Sequence, residues 1–351
     1  MTFAERVLAH YRRQARDLPW RRTRDPYAIW VSEIMLQQTR VGTVVGYWER
    51  WMARFPTVKR LADADLDDVL ALWSGLGYYS RARLLHRAAR TVVADHGGVV
   101  PAEVKQLEKL PGLGPYTVGA IASIAFDQPV PVVDGNVERV LARVLGIEEP
   151  TRAEMWAAAA ERVPARGAGD YNQGLMDIGA TICTPKAPRC LICPLAEGCR
   201  ARREGRPEEL PLRKKKGPVA EIAVDAVVIR RGDEWLLCRR QPKGLFGGLW
   251  ELPEAAALDG VRVGEEVLAR HRHFLTHRTI DYRVRAGAGQ PQWRNPYDRG
   301  RWVRPEEIEG LGVSAATLAL AARLRERDNP WQIPNARRSS SAKATKKSSR
   351  G

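Results

Sequence analysis

The chain has little cysteine and no long apolar run. Only five of its 351 residues are cysteine, and no stretch approaches the roughly 18 apolar residues of a membrane-spanning helix. The charged segment 1–14 has no apolar core like that of a secretory signal. These shortages argue against a disulfide-rich secreted domain and against a membrane protein. They predict a cytoplasmic protein in a reducing compartment.

Acidic residues are also in short supply. Aspartate and glutamate number 41 against 57 lysine and arginine residues, which gives a formal net charge of +16. Much of the excess lies in segment 201–217, with seven basic and three acidic groups, and in segment 335–351, with six basic groups and no acid. This balance indicates a polyanionic partner, nucleic acid before membrane, although basic tails also serve solubility alone.

The pattern of apolar residues divides the chain into two domains. The first, 1–200, is helical: apolar residues recur at helical spacing in 61–73, 80–94, 152–163 and 137–145, the last through Val137, Val140, Leu141, Val144 and Leu145. A basic, exposed linker is expected at 201–218, a second domain at 219–334, and a disordered tail at 335–351.

The sequence of the second domain predicts a small α+β fold. Two strands joined by a turn at 231–233 are expected at its start, because the short apolar runs of EIAVDAVVIRRGDEWLLCRR lie on either side of Arg231-Gly232-Asp233. Further strands are predicted near 273–285 and 301–303. Helices are predicted near 264–271 and 314–326.

Four of the five cysteines lie within 17 residues. Cys183, Cys190, Cys193 and Cys199 have the spacing C-x6-C-x2-C-x5-C. In a reducing compartment four such thiols are ligands rather than disulfides. The single C-x2-C pair and the unequal outer gaps favour an iron–sulfur cluster over zinc, with free structural cysteines as the third alternative. Cys238, in a predicted strand, is expected in the core.

A glycine-rich hairpin, LPGLGPYTVGA, occupies 110–120. Gly112 and Gly114 permit close backbone approaches, and Pro115 suits the first position of a following helix. Backbone N–H groups ahead of a helix N-terminus form an anion site. The hairpin is therefore a candidate phosphate clamp, although helix packing alone often uses such a turn.

Two carboxylates have contrasting settings. Glu33 lies within AIWVSEIML, where seven of nine residues are apolar, so burial and a raised pKa are expected unless the side chain is partly exposed and paired with Arg40. Asp134 precedes the helix at 136–145, where it acts as an N-cap and stays ionised near the positive helix end. A pair of this kind, one carboxyl protonated and the other ionised, is typical of enzymes that hydrolyse glycosidic bonds.

Several segments together resemble MutY-type adenine DNA glycosylases of the endonuclease III, or helix-hairpin-helix, superfamily. They are LPWR (18–21), PYAIWVSEIMLQQTRV (26–41), GLGYYSRARLLHRAA (75–89), LPGLGPYTVGAIASIAF (110–126), VDGNVERVLAR (133–143) and the cysteine spacing. The resemblance is strong over about 1–200 and weaker over 220–330. It implies a multidomain α and α+β protein, in which an all-α helix-hairpin-helix glycosylase domain with an iron–sulfur cluster loop precedes a Nudix-like α+β domain.

The resemblance also implies a reaction. The substrate would be adenine opposite 8-oxoguanine or guanine in double-stranded DNA, flipped out of the duplex and released by hydrolysis of its N-glycosidic bond. Glu33 would protonate adenine, Asp134 would stabilise the sugar cation, and Tyr116 and Asn136 would orient this chemistry. Bifunctional relatives carry a nucleophilic lysine where this chain has Tyr116, so strand cleavage is not expected.

The resemblance also implies binding roles for residues at positions that match the family. Leu18, Trp20, Arg21 and Asp177 would line the base pocket. Tyr78 would be the intercalating wedge, unless it is a core aromatic, and Gln38, Thr39 and Leu76 would contact the guanine lesion. The four cysteines would hold a [4Fe–4S] cluster whose loop presents Arg189 and Arg200 to the DNA backbone. A monomer associated with the nucleoid is expected.

The motif LFGGLWELP (245–253) resembles the Nudix-like domain of the same family, but no REUXEE sequence follows. The domain is therefore expected to read the oxidised base, not to hydrolyse nucleotides. Thr276 and His277 in HRHFLTH (271–277) match positions of lesion contact, although Leu275 replaces the usual aromatic and ordinary strand residues remain an alternative. Rival functions are a bifunctional lyase on oxidised pyrimidines, a Nudix hydrolase, and a silent cluster-bearing DNA-binding protein.

Overall fold

A computed structural model describes residues 1–212, 217 and 219–328. The first domain is helical. Its helices are α1 (Phe3–Gln14), α2 (Pro26–Leu36), α3 (Val41–Arg54), α4 (Val58–Ala62), α5 (Leu66–Trp73), α6 (Ser80–His96), α7 (Val104–Leu107), α8 (Pro115–Phe126), α9 (Gly135–Leu145), α10 (Arg152–Ala160), α11 (Ala168–Thr181) and α12 (Arg200–Arg203). None of the described helices is long and apolar enough to cross a membrane.

Helices α2 and α8 form the centre of this domain. Both are apolar around their full circumference, and a helix of that kind is stable only when it is surrounded by protein. In α2, every residue from Tyr27 to Met35 is buried, and α8 is buried from Thr117 to Ile124. A polar side chain on either helix is therefore held in an apolar environment.

Helix α9 confirms the predicted apolar stripe. Val137, Val140 and Leu141 are fully buried, and the helix ends at Gly146 in the left-handed conformation. The stretch 61–73 is helical as predicted but divided, because Asp63 ends α4 and Asp65 begins α5.

The second domain is a mixed sheet covered by a helix. Its strands are β1 (Ala220–Arg231), β2 (Glu234–Arg240), β3 (Trp250–Glu251), β4 (Leu258–Phe274), β5 (Arg278–Trp293) and β6 (Tyr297–Val303), and its helix is α13 (Ala315–Asp328). The strand order is β3-β2-β1-β5-β4, with β6 paired to β2. Strands β1 and β5 are parallel. The predicted turn between β1 and β2 and the helix near 314–326 are confirmed.

The helix predicted near 264–271 is wrong. These residues belong to β4, where Val267 pairs with Arg285 and His271 pairs with Tyr282 of β5. The stretch has an apolar spacing compatible with a helix, but its hydrogen-bonding partner is a strand further along the chain. Tertiary pairing therefore overrides the local preference.

The segment expected to be an exposed linker is partly packed. Ala201 and Leu210 are buried, and the Leu210 carbonyl accepts a hydrogen bond of 2.8 Å from Arg143 Nε. Residues 201–212 therefore lie against the end of α9. The expected disorder of 335–351 concerns residues outside the described part of the chain.

The two domains are in close contact beside the loop 74–79. Ser74 Oγ donates a hydrogen bond of 2.9 Å to the Val313 carbonyl, and Tyr79 OH donates one of 2.7 Å to the same oxygen. Gly312 packs so tightly that a Cβ there would come within 2.7 Å of Leu70 Cβ. This contact places the first-domain loop against the second domain.

Candidate active site

Glu33 is an enclosed acid on α2. Its side chain is 4% exposed, and its Oε2 accepts a hydrogen bond of 2.7 Å from Tyr116 OH. Burial, and secondarily the charge of Asp134, raise the pKa of Glu33 to about 7, against the opposing effect of the Tyr116 hydrogen bond. The alternative of a partly exposed Glu33 paired with Arg40 is excluded by this burial.

Tyr116 lies in the first turn of α8, where Pro115 begins the helix. Its hydroxyl also lies 3.3 Å from Met176 Sδ on α11. Burial, and then the charge of Glu33, raise the pKa of Tyr116 well above its ordinary value. The phenol therefore remains a proton donor to Glu33 and joins α2, α8 and α11 at one point.

Asp134 is the N-cap of α9, as predicted. Its Oδ1 accepts hydrogen bonds from the backbone N–H groups of Asn136 (2.9 Å) and Val137 (2.8 Å). Its Oδ2 accepts a third from Asn136 Nδ2 at 3.0 Å. Because three donors fix the carboxylate, its orientation is set before any substrate binds.

Asn136 is itself held by a residue that the sequence did not single out. Arg139 Nη2 donates to Asn136 Oδ1 at 2.9 Å and to the Gly179 carbonyl at 2.7 Å, while Arg139 Nε donates to the Cys183 carbonyl at 2.8 Å. No sequence signal marks Arg139, because two of these partners, Gly179 and Cys183, lie about 40 residues further along the chain.

Arg21 and Asp177 form a two-pronged ion pair near Glu33. Arg21 Nη1 and Nη2 lie 2.7 and 3.0 Å from the two carboxylate oxygens, and Arg16, missed from sequence, adds a third bond at 2.8 Å. Burial favours a higher pKa for Asp177, but Arg21 and Arg16 outweigh burial and lower it. The charge of Arg21 also acts on Glu33, so the predicted pocket residues and the acid are neighbours.

The two apolar residues predicted for this pocket lie in the core. Leu18 and Trp20 are buried, and the Trp20 ring packs edge-on against Trp48 with centroids 6.1 Å apart. Leu18 precedes the short turn Pro19–Arg21 and Trp20 lies within it, and their packing holds Arg21 in place.

The glycine-rich hairpin has the geometry expected of an anion clamp. Gly112 has a φ of +81°, and a Cβ there would lie 2.7 Å from Leu84 Cβ, so only glycine fits without strain. Gly114 caps α8, and a Cβ at this residue would meet nothing within 4 Å. Both glycines are exposed, so a phosphate has room to approach the helix N-terminus.

The four predicted ligand cysteines surround one cavity. Cys183, Cys190, Cys193 and Cys199 line it together with apolar side chains, among them Val140. Among the described residues, no group of three or more His, Cys, Asp or Glu has the geometry for a bound metal ion. Four thiols that share one cavity are a ligand set that thiolate-bound metal groups use.

The predicted wedge Tyr78 and the first-domain residues predicted to contact the guanine lesion lie on two loops. Gln38 and Tyr78 are exposed, with left-handed φ angles of 57° and 48°. Such angles in non-glycine residues cost about 1–3 kcal/mol each and are enriched at binding sites. Tyr78 is 44% exposed, so the alternative of a core aromatic is excluded. Leu76 is buried and Thr39 is partly exposed.

A cavity of about 460 Å³ lies between the two domains. Leu76 and Tyr78 line it from the first domain, and Thr276 and His277 line it from the second. The hydroxyls of Tyr78 and Thr276 are hydrogen-bonded to each other. The structure therefore brings four predicted contact residues together, while Gln38 and Thr39 lie outside this lining.

Phe246 contributes an aromatic wall to this cavity and was not predicted from the sequence. It has a φ of +57°, lines the same cavity, and packs against His273 with ring centroids 6.0 Å apart. His271 lies next to His273 at 5.9 Å. The histidines therefore form part of an aromatic row along β4.

In the described residues that directly follow Glu251, no helix carries a cluster of glutamates. That carboxyl is buried and accepts hydrogen bonds from Arg240 Nε (2.6 Å) and Tyr297 OH (2.8 Å), and Glu254 also pairs with Arg240. The residues that follow form a short turn at Ala255–Ala257 and then strand β4. Both glutamates are thus occupied internally.

Comparisons with known proteins agree with this geometry. A model of the HhH-GPD superfamily of base excision DNA repair proteins matches residues 31–165, and a NUDIX domain model matches 225–323. A thermostable thymine-DNA glycosylase has a similar structure, with a TM-score of 0.55 and 32% identity over 57% of this chain and 95% of its own. An endonuclease III–DNA complex, at 22% identity and a TM-score of 0.50 over 58% of this chain and 99% of its own, shares the fold.

Curated relatives extend the match over both domains. Adenine DNA glycosylase from Rattus norvegicus is 36% identical over 90% of this chain and 76% of its own length. The enzyme from Buchnera aphidicola of Schizaphis graminum is 38% identical over 72% of this chain and 74% of its own. The chain belongs to the adenine DNA glycosylase family.

Proposed function

We propose that this enzyme releases adenine paired with 8-oxoguanine or guanine in double-stranded DNA, by hydrolysis of the N-glycosidic bond. The observation that carries the proposal is the pairing of two unlike carboxyls. Glu33 is buried with a pKa of about 7, whereas Asp134 is held by three hydrogen-bond donors at a helix N-terminus.

Glu33 acts as the general acid. Near neutral pH a large share of this carboxyl is protonated, so it can give a proton to N7 of adenine and make the base a better leaving group. The Tyr116 hydroxyl holds Oε2, which leaves Oε1 for the base. Arg21 and Asp177 fix one side of the base pocket.

Asp134 stabilises the sugar. As the glycosidic bond breaks, positive charge develops on the ring, and a fixed carboxylate stabilises that charge or forms a covalent bond with the anomeric carbon before water attacks. Asn136 keeps Oδ2 in place through its amide. The charge is thus provided without reorganisation of the site.

Extrusion of adenine requires contacts that offset a cost of a few kcal/mol. The hairpin with Gly112 and Gly114 binds a backbone phosphate, and the exposed ring of Tyr78 fills the gap in the base stack. Leu76, Gln38 and Thr39 contact the opposite base.

The second domain reads the oxidised base. Thr276 and His277 face Tyr78 across the cavity between the domains, so a base seated beside the Tyr78 wedge meets the Thr276 hydroxyl. The Tyr78–Thr276 hydrogen bond is exchanged for one to the lesion when DNA binds.

A [4Fe–4S] cluster is held by Cys183, Cys190, Cys193 and Cys199. When bound, the cluster supplies iron–thiolate bonds that tie the cysteine loop to the domain. Arg143 supports the site from α9, since its Nη1 lies 3.3 Å from Cys183 Sγ. The loop presents Arg189 and Arg200 toward the DNA backbone. We place the enzyme in the cytoplasm, associated with the nucleoid, as a monomer.

A panel of duplexes tests the reaction. Adenine is placed opposite 8-oxoguanine, guanine or thymine, and free adenine is measured in single turnover. The fastest release is expected opposite 8-oxoguanine, and equal rates on all three duplexes would contradict the proposal. Borohydride is expected to trap little covalent complex, because Tyr116 cannot form the imine of a lyase. Abundant trapping would instead identify a bifunctional enzyme.

A further inference from the structure

Arg81 is a buried cation on α6 whose partners in the described residues are uncharged. Its Nη1 donates to three carbonyls: Ile34 (2.8 Å), Met35 (3.0 Å) and Gln37 (2.5 Å). Its Nη2 donates to Thr39 Oγ1 (3.3 Å) and to the carbonyls of Leu76 (3.1 Å) and Gly77 (3.1 Å).

These contacts connect two loops that are distant in sequence. Nη1 bonds the end of α2 and Gln37, whereas Nη2 bonds Thr39 together with the carbonyls of Leu76 and Gly77. The guanidinium also lies over the Tyr78 ring at 5.6 Å and the Trp73 ring at 5.2 Å. Gln38 and Tyr78, the two residues with left-handed φ, are thus each flanked by atoms bonded to Arg81.

We propose that Arg81 is a positioning residue that joins segments 37–39 and 76–78 into one unit, and thereby sets the preference for 8-oxoguanine over guanine opposite adenine. The inference rests on the proposed reading function. A strained backbone conformation persists only where its surroundings hold it, and Arg81 is the side chain that holds both loops.

Lysine is a poor substitute for this role. The planar guanidinium presents donors in a fixed fork, whereas an ammonium group is a single point with three donors on a flexible stem. Arg81→Lys therefore keeps the charge but loses simultaneous contact with both segments. Arg81 also touches the end of α2, which carries Glu33, so the catalytic rate falls on every substrate and the ratio between substrates is the informative quantity.

The first experiment compares wild type, Arg81→Lys and Arg87→Lys. Arg87 is an exposed arginine on the same helix, so Arg87→Lys controls for the chemical change. Affinity and single-turnover rate are measured on adenine opposite 8-oxoguanine and opposite guanine, with thermal unfolding of each protein. Arg81→Lys is expected to lower the preference for 8-oxoguanine about tenfold, as for loss of one or two charged hydrogen bonds, while Arg87→Lys leaves it unchanged.

A second experiment leaves Arg81 intact, so it also decides the matter should Arg81→Lys fail to fold. The effects of Gln38→Ala and Tyr78→Ala on DNA affinity are measured singly and together. Residues that belong to one unit give non-additive effects, and we expect such coupling. Additive effects, or full preference for 8-oxoguanine in a folded Arg81→Lys variant, would overturn the inference. A wild-type enzyme without any preference would instead refute the reading function, and the coupling of Gln38 to Tyr78 would still test Arg81.

Discussion

The catalytic centre and the cavity between the domains are built in opposite ways. Glu33 and Tyr116 lie on buried helices, and they are hydrogen-bonded to each other before DNA arrives. Tyr78 and Thr276, in contrast, are exposed and satisfy each other. The proposed catalytic groups are therefore preorganised, whereas we expect reading of the opposite base to depend on groups that exchange partners when DNA binds. Changes in the first region should affect the rate on every substrate, and changes in the second should affect selectivity.

The largest effect is expected at Asp134. Asp134→Asn keeps the cap geometry but removes the negative charge that faces the sugar cation, so single-turnover release of adenine should fall at least about a hundredfold. Asp65→Asn, at an exposed N-cap position of α5 whose side chain makes no cap hydrogen bond, controls for the chemical change and should change little. If Asp134→Asn kept near wild-type rates while bound to the mismatch, its role would be refuted.

The pH dependence of the rate follows from the raised pKa of Glu33. The acid must be protonated, so single-turnover rates should fall about tenfold per pH unit above about 7. A rate that stays level from pH 7 to 9 would contradict the assignment of Glu33 as the acid.

The same burial carries a stability cost. Because the pKa of Glu33 in the folded protein (about 7) exceeds its ordinary 4.5, stability present below pH 4.5 is lost as the pH rises through about 7. The full loss is about 3 kcal/mol. Glu33→Gln should therefore have a larger free energy of unfolding than wild type at pH 8. The difference in unfolding free energy between the two proteins should be smaller at pH 5, as measured by denaturant unfolding. Burial also raises the pKa of Glu251 to about 7. Both proteins share that effect, so the quantity to compare is the difference in unfolding free energy between wild type and Glu33→Gln.

The smallest effect is expected in the cavity between the domains. Thr276→Ala removes the hydroxyl that we propose bonds the oxidised base, so discrimination between 8-oxoguanine and guanine should change only several-fold. Thr276→Ser is the control that keeps the hydroxyl. Equal losses on both substrates would mean that the second domain supplies general DNA affinity alone, and the contrast between the two regions would then be lost.

Local patterns were sufficient to predict part of the catalytic centre. The position of Asp134 ahead of an amphipathic helix predicted its cap, whereas the apolar run around Glu33 left both burial and a partly exposed pairing with Arg40 open. The family resemblance was needed to assign both carboxyls a role in chemistry. The cap prediction succeeded because its physical cause lies within about ten residues of the group concerned.

Contacts between distant segments could not be predicted in this way. The Tyr78–Thr276 pair joins residues 198 positions apart. The contacts of Arg81 and Arg139 are mostly with backbone carbonyls, which every residue has, so no side-chain pattern in the sequence predicts them. The helix predicted near 264–271 failed for the same reason, because pairing with β5 decides the conformation of β4.

The most direct test of the account compares wild type with Glu33→Gln at pH 7. The release of free adenine from a duplex with adenine opposite 8-oxoguanine is measured under single-turnover conditions, and the affinity for the duplex is measured in parallel. The account predicts that both proteins bind the duplex, that wild type releases adenine, and that Glu33→Gln releases almost none, because glutamine cannot donate the proton. Equal release by the two proteins would contradict it.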